Sequence, residues 1–372
     1  MTRDTFHRCL LVALIMCVNR RDNYEQHWSE DPMYSTDLIK GIMSRRQFRG
    51  AIKSLHPKPR KLVNIANSNF HRSWDPEAHV GVDETLIRFK GRYKYRIHIR
   101  GKPDATGLKV YGLADSLGFM YSIELYEGQK STVTELVLGL LETLPSKVGY
   151  HVFADAWYGS DILAEALLQK GYYFTLACGK NKPAPLFANF LQVGLVKGQV
   201  RYMESKKNPS LLAVAYYDRA KCQFLTNRNR PETTTNRHGE TLPTVVEDYR
   251  QFMGSVDRVD RSGQKARWPH KSRKWTMAFF WYLLGLCVSN ARVICVHQLG
   301  TKYKLSHFLH DLIEAWCKEL KKSELPHTKP THKLEMTPFR ARCEVCRKID
   351  RNIQKTRLVC FKFGAIYTNN VI

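Results

Sequence analysis

The chain has 372 residues, and 59 Lys and Arg against 34 Asp and Glu give it a net charge of +25. That length holds two or three domains with sizeable cores, so a disulfide-stapled miniprotein is excluded. The charge favours a polyanionic partner, nucleic acid first, over a merely solvated basic surface.

Residues 1–79 are basic and read as mainly helical. Cys9–Val18 is an apolar run behind Arg3 and Arg8 that imitates a signal peptide, but Asn19-Arg20-Arg21-Asp22 follows without a small-residue cleavage site. It reads as a core helix. Ser44 opens another helix, with Phe48, Ile52 and Leu55 on one side and Arg45, Arg46, Arg49 and Lys53 on the other. Pro57 and Pro59 close that segment.

Residues 80–177 change to strand patterning. The expected strands are Val80–Phe89, Leu108–Asp115, Phe119–Leu125, His151–Ala154 and Tyr172–Ala177. Helices are expected at Val133–Leu144, with a capping box from Thr132 to Glu135, and at Asp161–Lys170, capped by Ser160 and stopped by Gly171. Strands first, then strand–helix alternation, predict an α/β layer with a mixed sheet.

Residues 178–245 are looser, with strand-like runs at Leu211–Tyr217 and Cys222–Thr226 and a polar loop over Asn227–Thr241. Helical patterning resumes at Val246–Arg261, and a long aromatic helix spans roughly Ser272–His297. Within it, Met277–Val288 is apolar but stops short of a bilayer span at Ser289, Asn290 and Arg292. The expectation is a soluble protein, nuclear or cytoplasmic, with no membrane partner. Ten cysteines are scattered along the chain, and most read as small buried apolar residues. Only Cys343, Cys346 and Cys360 have metal-like spacing. Cys343-Glu344-Val345-Cys346 is half of a zinc site and Cys360 begins a second half, but Phe363 stands where its partner would be.

Three aspartates carry the chemistry. Asp83 and Asp155 sit in or at the end of apolar strand runs, where Asp is disfavoured, and Asp257 sits on a helical pattern with Asp260 one turn on. Magnesium takes hard oxygen ligands and only a few carboxylates, and two such ions can serve phosphodiester chemistry. Asp83 and Asp155 would converge if their strands are neighbours, and Asp257 would complete the set. Glu84 and Asp115 are rival carboxylates that spacing does not dismiss. Arg92, Lys94, Arg96, His98, Arg100 and Lys102 alternate with Tyr93, Tyr95, Ile97, Ile99 and Gly101, which predicts a strand with one basic face. Lys265, Arg267, His270, Lys271, Arg273 and Lys274 form a second basic cluster, interleaved with Trp268 and Trp275. Trp157, two residues past Asp155, either packs beside the site or stacks on a distorted base.

A series of motifs in this order resembles the transposase domain of the piggyBac family. They are Tyr24-Glu25-Gln26-His27-Trp28, Met43-Ser44-Arg45-Arg46-Gln47-Phe48, Asp83-Glu84, Phe89-Lys90-Gly91-Arg92, Gly107-Leu108-Lys109-Val110, Asp155-Ala156-Trp157-Tyr158-Gly159-Ser160, Met253-Gly254-Ser255-Val256-Asp257-Arg258-Val259-Asp260, Arg273-Lys274-Trp275 and Asn290-Ala291. The resemblance implies an RNase H-like mixed-sheet catalytic core with an inserted subdomain and a flanking helical DNA-binding and dimerisation domain. Its implied layout is 1–79 helical, 80–177 core, 178–245 insertion, 246–266 closing helix, 267–338 helical and 339–372 an incomplete cysteine-rich tail. The implied triad is Asp83, Asp155 and Asp257 on two magnesium ions, with Asp260 as a further acidic ligand. Zinc is doubtful at Cys343, Cys346 and Cys360. Lys90, Arg92, Lys94, Arg96, Arg100, Lys102, Lys271, Arg273 and Lys274 would touch double-stranded DNA, and a homodimer in the nucleus is expected. The implied activity is cut-and-paste DNA transposition into TTAA targets. The rival readings are a domesticated or decayed DNA-binding protein, a metal-dependent nuclease without strand transfer, and a basic scaffold.

Overall fold

The computed structural model describes residues 1–99, 106–146, 149–179, 194–206, 208–300, 302–324, 334–342, 355–360 and 365–367. The chain divides into two units, Met1–Ile313 and Glu314–Ile372.

Four helices lead the first unit: α1 (Arg3–Val18), α2 (Asp37–Ile42), α3 (Arg45–Ser54) and α4 (Pro59–Ser73). Local chemistry sets their starts. The Thr2 hydroxyl accepts from Thr5 N–H to begin α1, Ser44 and Gln47 form a reciprocal capping box at α3, and Pro59 opens α4 where no N–H is needed. The apolar run of α1 is a core element, buried from Leu11 to Cys17. Burial pushes the Cys9 and Cys17 thiols up to about 12, so both stay protonated packing groups.

The sheet follows, with β1 (His79–Arg88), β2 (Ile97–His98), β3 (Thr106–Asp115) and β4 (Met120–Leu125). Next come α5 (Val133–Leu141), β5 (His151–Gly159), α6 (Asp161–Gln169) and β6 (Tyr173–Cys178). The expected caps at Thr132–Glu135 and Ser160 are present, and Gly171 ends α6 at φ 77°. Then come β7 (Val200–Glu204), β8 (Leu212–Tyr217), β9 (Lys221–Thr226), β10 (Thr233–Thr235), β11 (Thr241–Pro243), α7 (Thr244–Phe252), α8 (Ser255–Lys265) and α9 (Trp275–Leu299).

β1 lies inside the large sheet. It pairs antiparallel with β3, which pairs antiparallel with β4, and it pairs parallel with β5, which pairs parallel with β6. This is the mixed α/β core expected from the sequence. Strands within residues 194–226 join it. β9 pairs antiparallel with β6, and β8 and β7 extend the same sheet to nine strands. Two asparagines close the outer strand β4. Asn67 exchanges both hydrogen bonds with the Ile123 backbone, and Asn290 does the same with Met120. Each amide supplies one donor and one acceptor, so the side chain completes backbone groups that no further strand serves.

Three expectations change. The polar stretch 227–241 contains a hairpin arm, because Thr233–Thr235 pairs with Thr241–Pro243. The helical pattern over 246–261 is two helices, broken where Met253 and Gly254 turn the chain against β1. Among the described residues of the basic segment 92–102, only Ile97–His98 form a strand. Its Arg96 guanidinium folds back to donate to the carbonyls of Lys90 and Gly91 at 2.8 Å each, which fixes a turn instead. Arg92, Lys94, Arg96 and His98 are nevertheless all exposed.

Among the described residues, α9 alone is long and apolar enough to cross a membrane, but 56% of its most apolar stretch is buried. It packs directly on α8, where Gly263 and Gly285 allow backbone-to-backbone approach. A last helix, α10 (Leu305–Glu324), begins in the first unit and continues into the second. The second unit contains an antiparallel sheet of β12 (Leu334–Arg342), β13 (Lys355–Cys360) and β14 (Ala365–Tyr367).

Candidate functional site

Strand alternation sends Gly81, Asp83 and Thr85 of β1 to one face. That face meets α8 and α9. A Cβ on Gly81 would collide with Ser255 Oγ, and Thr85 hydrogen-bonds Tyr282. Opposite Asp83 on β3 stands Gly112, which lies beneath Met120 and Val256. The parallel register pairs Val82 with Ala154, so Asp155 is the next position beside Asp83. There the β5–β6 ladder becomes irregular, and Asp155 Oδ1 accepts from Trp157 N–H at 2.9 Å. Asp257 occupies the first turn of α8 and is exposed. Two strands and a helix therefore bring three carboxylates together.

Their electrostatics reflect this grouping. Burial, followed by the negative charges of Glu84, Asp155 and Asp257, pushes the Asp83 carboxyl up to about 7. The Glu84 N–H, donating to Asp83 Oδ1 at 2.7 Å, only partly offsets that. Like charges held together in a half-buried place favour a proton or a cation between them. All three offer hard oxygen donors, the chemistry that suits magnesium.

The rival carboxylates have other work. Asp115 is fully buried and accepts from Trp74 Nε1 at 2.7 Å and from the Leu117 and Phe119 N–H groups at 3.1 and 2.9 Å. It holds the β3–β4 turn. Glu84 points to the opposite face of the sheet, where it accepts from Tyr158 OH at 3.2 Å and lies 4.0 Å from Lys109 Nζ. Asp260, the further acidic group, has polar partners of its own. One of its oxygens accepts from Arg267 at 2.9 Å and the other from Gln264 at 3.0 Å. A metal there would have to compete with an ion pair whose side chains are only 19% and 16% exposed.

The second basic cluster faces the end of β1 and the turn that follows it. A groove of about 580 Å3 is lined by Arg88, Lys90 and Gly91 on one side and by Arg267, Trp268, His270, Lys271 and Arg273 on the other. Lys90, Lys271, Arg273 and Lys274 are exposed. Arg267 Nε and His270 Nε2 are buried without a hydrogen-bond partner among the described residues. Orphaned polar atoms beside clustered cations suit an anion with many acceptor oxygens. Of the expected DNA contacts, Arg100 and Lys102 lie outside the described residues. So do Cys343 and Cys346, and of Cys360 only the backbone is described.

Sequence reasoning did not assign a site role to Arg88 or Lys109. For Lys109 a signal existed, since a lysine interrupts the apolar run of β3. It is 8% exposed.

A family model described as Transposase IS4 matches residues 1–292. The chain is 22% identical over 302 residues to human PiggyBac transposable element-derived protein 3, which covers 71% of this chain and 50% of that protein. It is 22% identical over 314 residues to human PiggyBac transposable element-derived protein 2, covering 72% and 52%. The chain thus spans about half the length of these curated relatives. Its fold matches a piggyBac transposase solved in a synaptic complex with hairpin DNA, at TM-score 0.71 and 21% identity, over 88% of this chain and 74% of that one. A mixed α/β fold is thereby shared.

Proposed function

Since this chain belongs to the Transposase IS4 family, we propose that it is a piggyBac-type enzyme that cleaves and transfers DNA strands with divalent metal ions. The observation that carries this reading is the meeting of Asp83, Asp155 and Asp257 at one place, with the Asp83 carboxyl pushed up to about 7 by burial and by its neighbours. Asp83 and Asp155 would hold magnesium from the strands, and Asp257 would complete the set from α8. Bound there, the ions would activate an attacking oxygen and stabilise the leaving one. Asp260 serves the site at one remove, by holding Arg267 at the groove.

The groove supplies the substrate side. Arg88 lies five residues beyond Asp83 on β1, about 17 Å at the usual strand rise. A DNA backbone gripped between Lys90 and Arg273 would extend from there toward the carboxylates, positioned through its phosphates and not its sequence. Cut-and-paste transposition into TTAA, a homodimeric assembly and action in the nucleus are what the piggyBac likeness suggests for this chain.

A DNA-binding protein that no longer transposes is the second reading, favoured by Phe363 standing where a Cys-x-x-Cys partner of Cys360 would be. Excision of a TTAA-flanked donor separates the two. The enzyme reading expects excision by the wild type and loss of at least about 100-fold in Asp83→Ala and Asp257→Ala, the scale on which groups acting in the transition state are lost. Tight DNA binding without excision in the wild type would leave the second reading standing.

A further inference from the structure

A cleft of about 300 Å3 opens between β4 and α5. Tyr111 and Trp157 form its aromatic end. Tyr111 pairs with Glu84 across the ladder, so the cleft lies on the sheet face opposite Asp83, and the Trp157 that lines it stands two residues from Asp155 on β5. The two rings are near-parallel, at 19° with centroids 6.1 Å apart, and Tyr158 meets the indole edge-on at 4.7 Å. Lys109 Nζ sits 3.9 Å from the indole centroid and 4.6 Å from that of Tyr111. The indole is therefore braced by a buried lysine and two tyrosines, yet Trp157 is 40% exposed. A tryptophan serving only the core would be covered. A braced ring with open area is a stacking platform.

The rest of the lining supplies hydrogen-bonding groups: Glu124, Gln129, Thr132 and Thr143. Gln129 is already oriented, donating to Glu124 Oε1 at 3.0 Å and to the Leu125 carbonyl at 2.8 Å. Burial raises the Glu124 carboxyl, against the hydrogen bond it accepts from Gln129. The volume is at the small end of ligand pockets, on the order of 300–1,000 Å3.

We propose that this cleft receives one unpaired nucleobase of the DNA strand handled at the Asp83–Asp155–Asp257 cluster, stacked on Trp157. The inference rests on the reading of the chain as one that acts on DNA. Trp157 stands two residues from Asp155 and is tied to it by its own N–H. A base leaves the duplex most readily where it is already unpaired, and stacking accepts any base. The polar lining then meets its edge.

The test measures affinity for two DNAs that differ only in one unpaired position, under conditions without divalent metal. The wild type should bind the DNA with the unpaired position about tenfold more tightly, within the range of one stacking interaction. Trp157→Ala should bind the full duplex as the wild type does and lose that preference. Gly139→Leu provides an independent variant. Gly139 lines the cleft, and a Cβ added there meets nothing within 4 Å, so leucine fills the cleft without a clash at Cβ. It too should lose the preference. An unchanged preference in either variant, or none in the wild type with duplex affinity intact, overturns the inference alone. No affinity for either DNA overturns the nucleic-acid reading and the inference with it.

Discussion

Asp83 stands in an electrostatic conflict that the protein alone does not resolve. Its carboxyl rises from 3.8 to about 7 because burial and three neighbouring carboxylates disfavour its charge. A carboxyl raised in this way stabilises the fold fully only below its unfolded value, and that contribution is lost as pH rises through the folded value. Metal-free wild type should therefore lose stability between about pH 4 and pH 7, by on the order of 2–4 kcal/mol at the top of that window. Asp83→Asn, which carries no charge there, should lose much less. Thermal melts of both proteins across this range, with and without added magnesium, check the point. Magnesium should restore wild-type stability near neutral pH and leave the variant unmoved. Parallel curves for the two proteins would show that Asp83 does not carry the conflict.

At the scale of elements, the site depends on α8 lying close to both the sheet and α9. Gly285 on α9 marks the close approach of the two helices: a Cβ there would stand 2.5 Å from the Gly263 carbonyl oxygen on α8. Alanine would gain about 1 kcal/mol of helix propensity, whereas forcing two backbones apart costs typically about 1–3 kcal/mol. The collision is with backbone that cannot rotate away, so Gly285→Ala should be net destabilising. Urea unfolding should show a lower midpoint with an unchanged slope, and a higher midpoint would refute the close approach. This contact could not be read from sequence, because two glycines in helices 22 residues apart carry no sign that they face each other. What could be read was local. The caps at Thr132 and Ser160, the Gly171 stop and the aspartates that interrupt β1 and β5 are written in adjacent residues. The break at Gly254 was missed because the apolar spacing runs on through it. The strand expected over 92–102 does not form at 92–96, because alternation described exposure correctly while Arg96 turned the backbone. The ion pair of Asp260 was hidden for a third reason, since its partner Arg267 lies beyond the helix that carries it.

Over the whole molecule, the excess of 25 positive charges is organised. Segments far apart in the chain, 88–91 and 267–273, line one groove next to the elements that carry the three aspartates. Charge spread evenly over a surface would bind DNA weakly and without a preferred footprint, whereas charge gathered at a groove neutralises a countable set of phosphates. The difference is measurable as the slope of log affinity against log salt concentration, at about −0.9 per phosphate neutralised. If the groove grips the backbone with four or five cations, the wild-type slope should be about −4. Lys90→Gln and Arg273→Gln should each make it shallower by about 1 and weaken binding alike on unrelated sequences. Lys318→Gln, on α10 with its ammonium already 2.6 Å from Glu314, should leave the slope as it is. Equal effects from all three substitutions would mean that net charge, not the groove, holds the DNA.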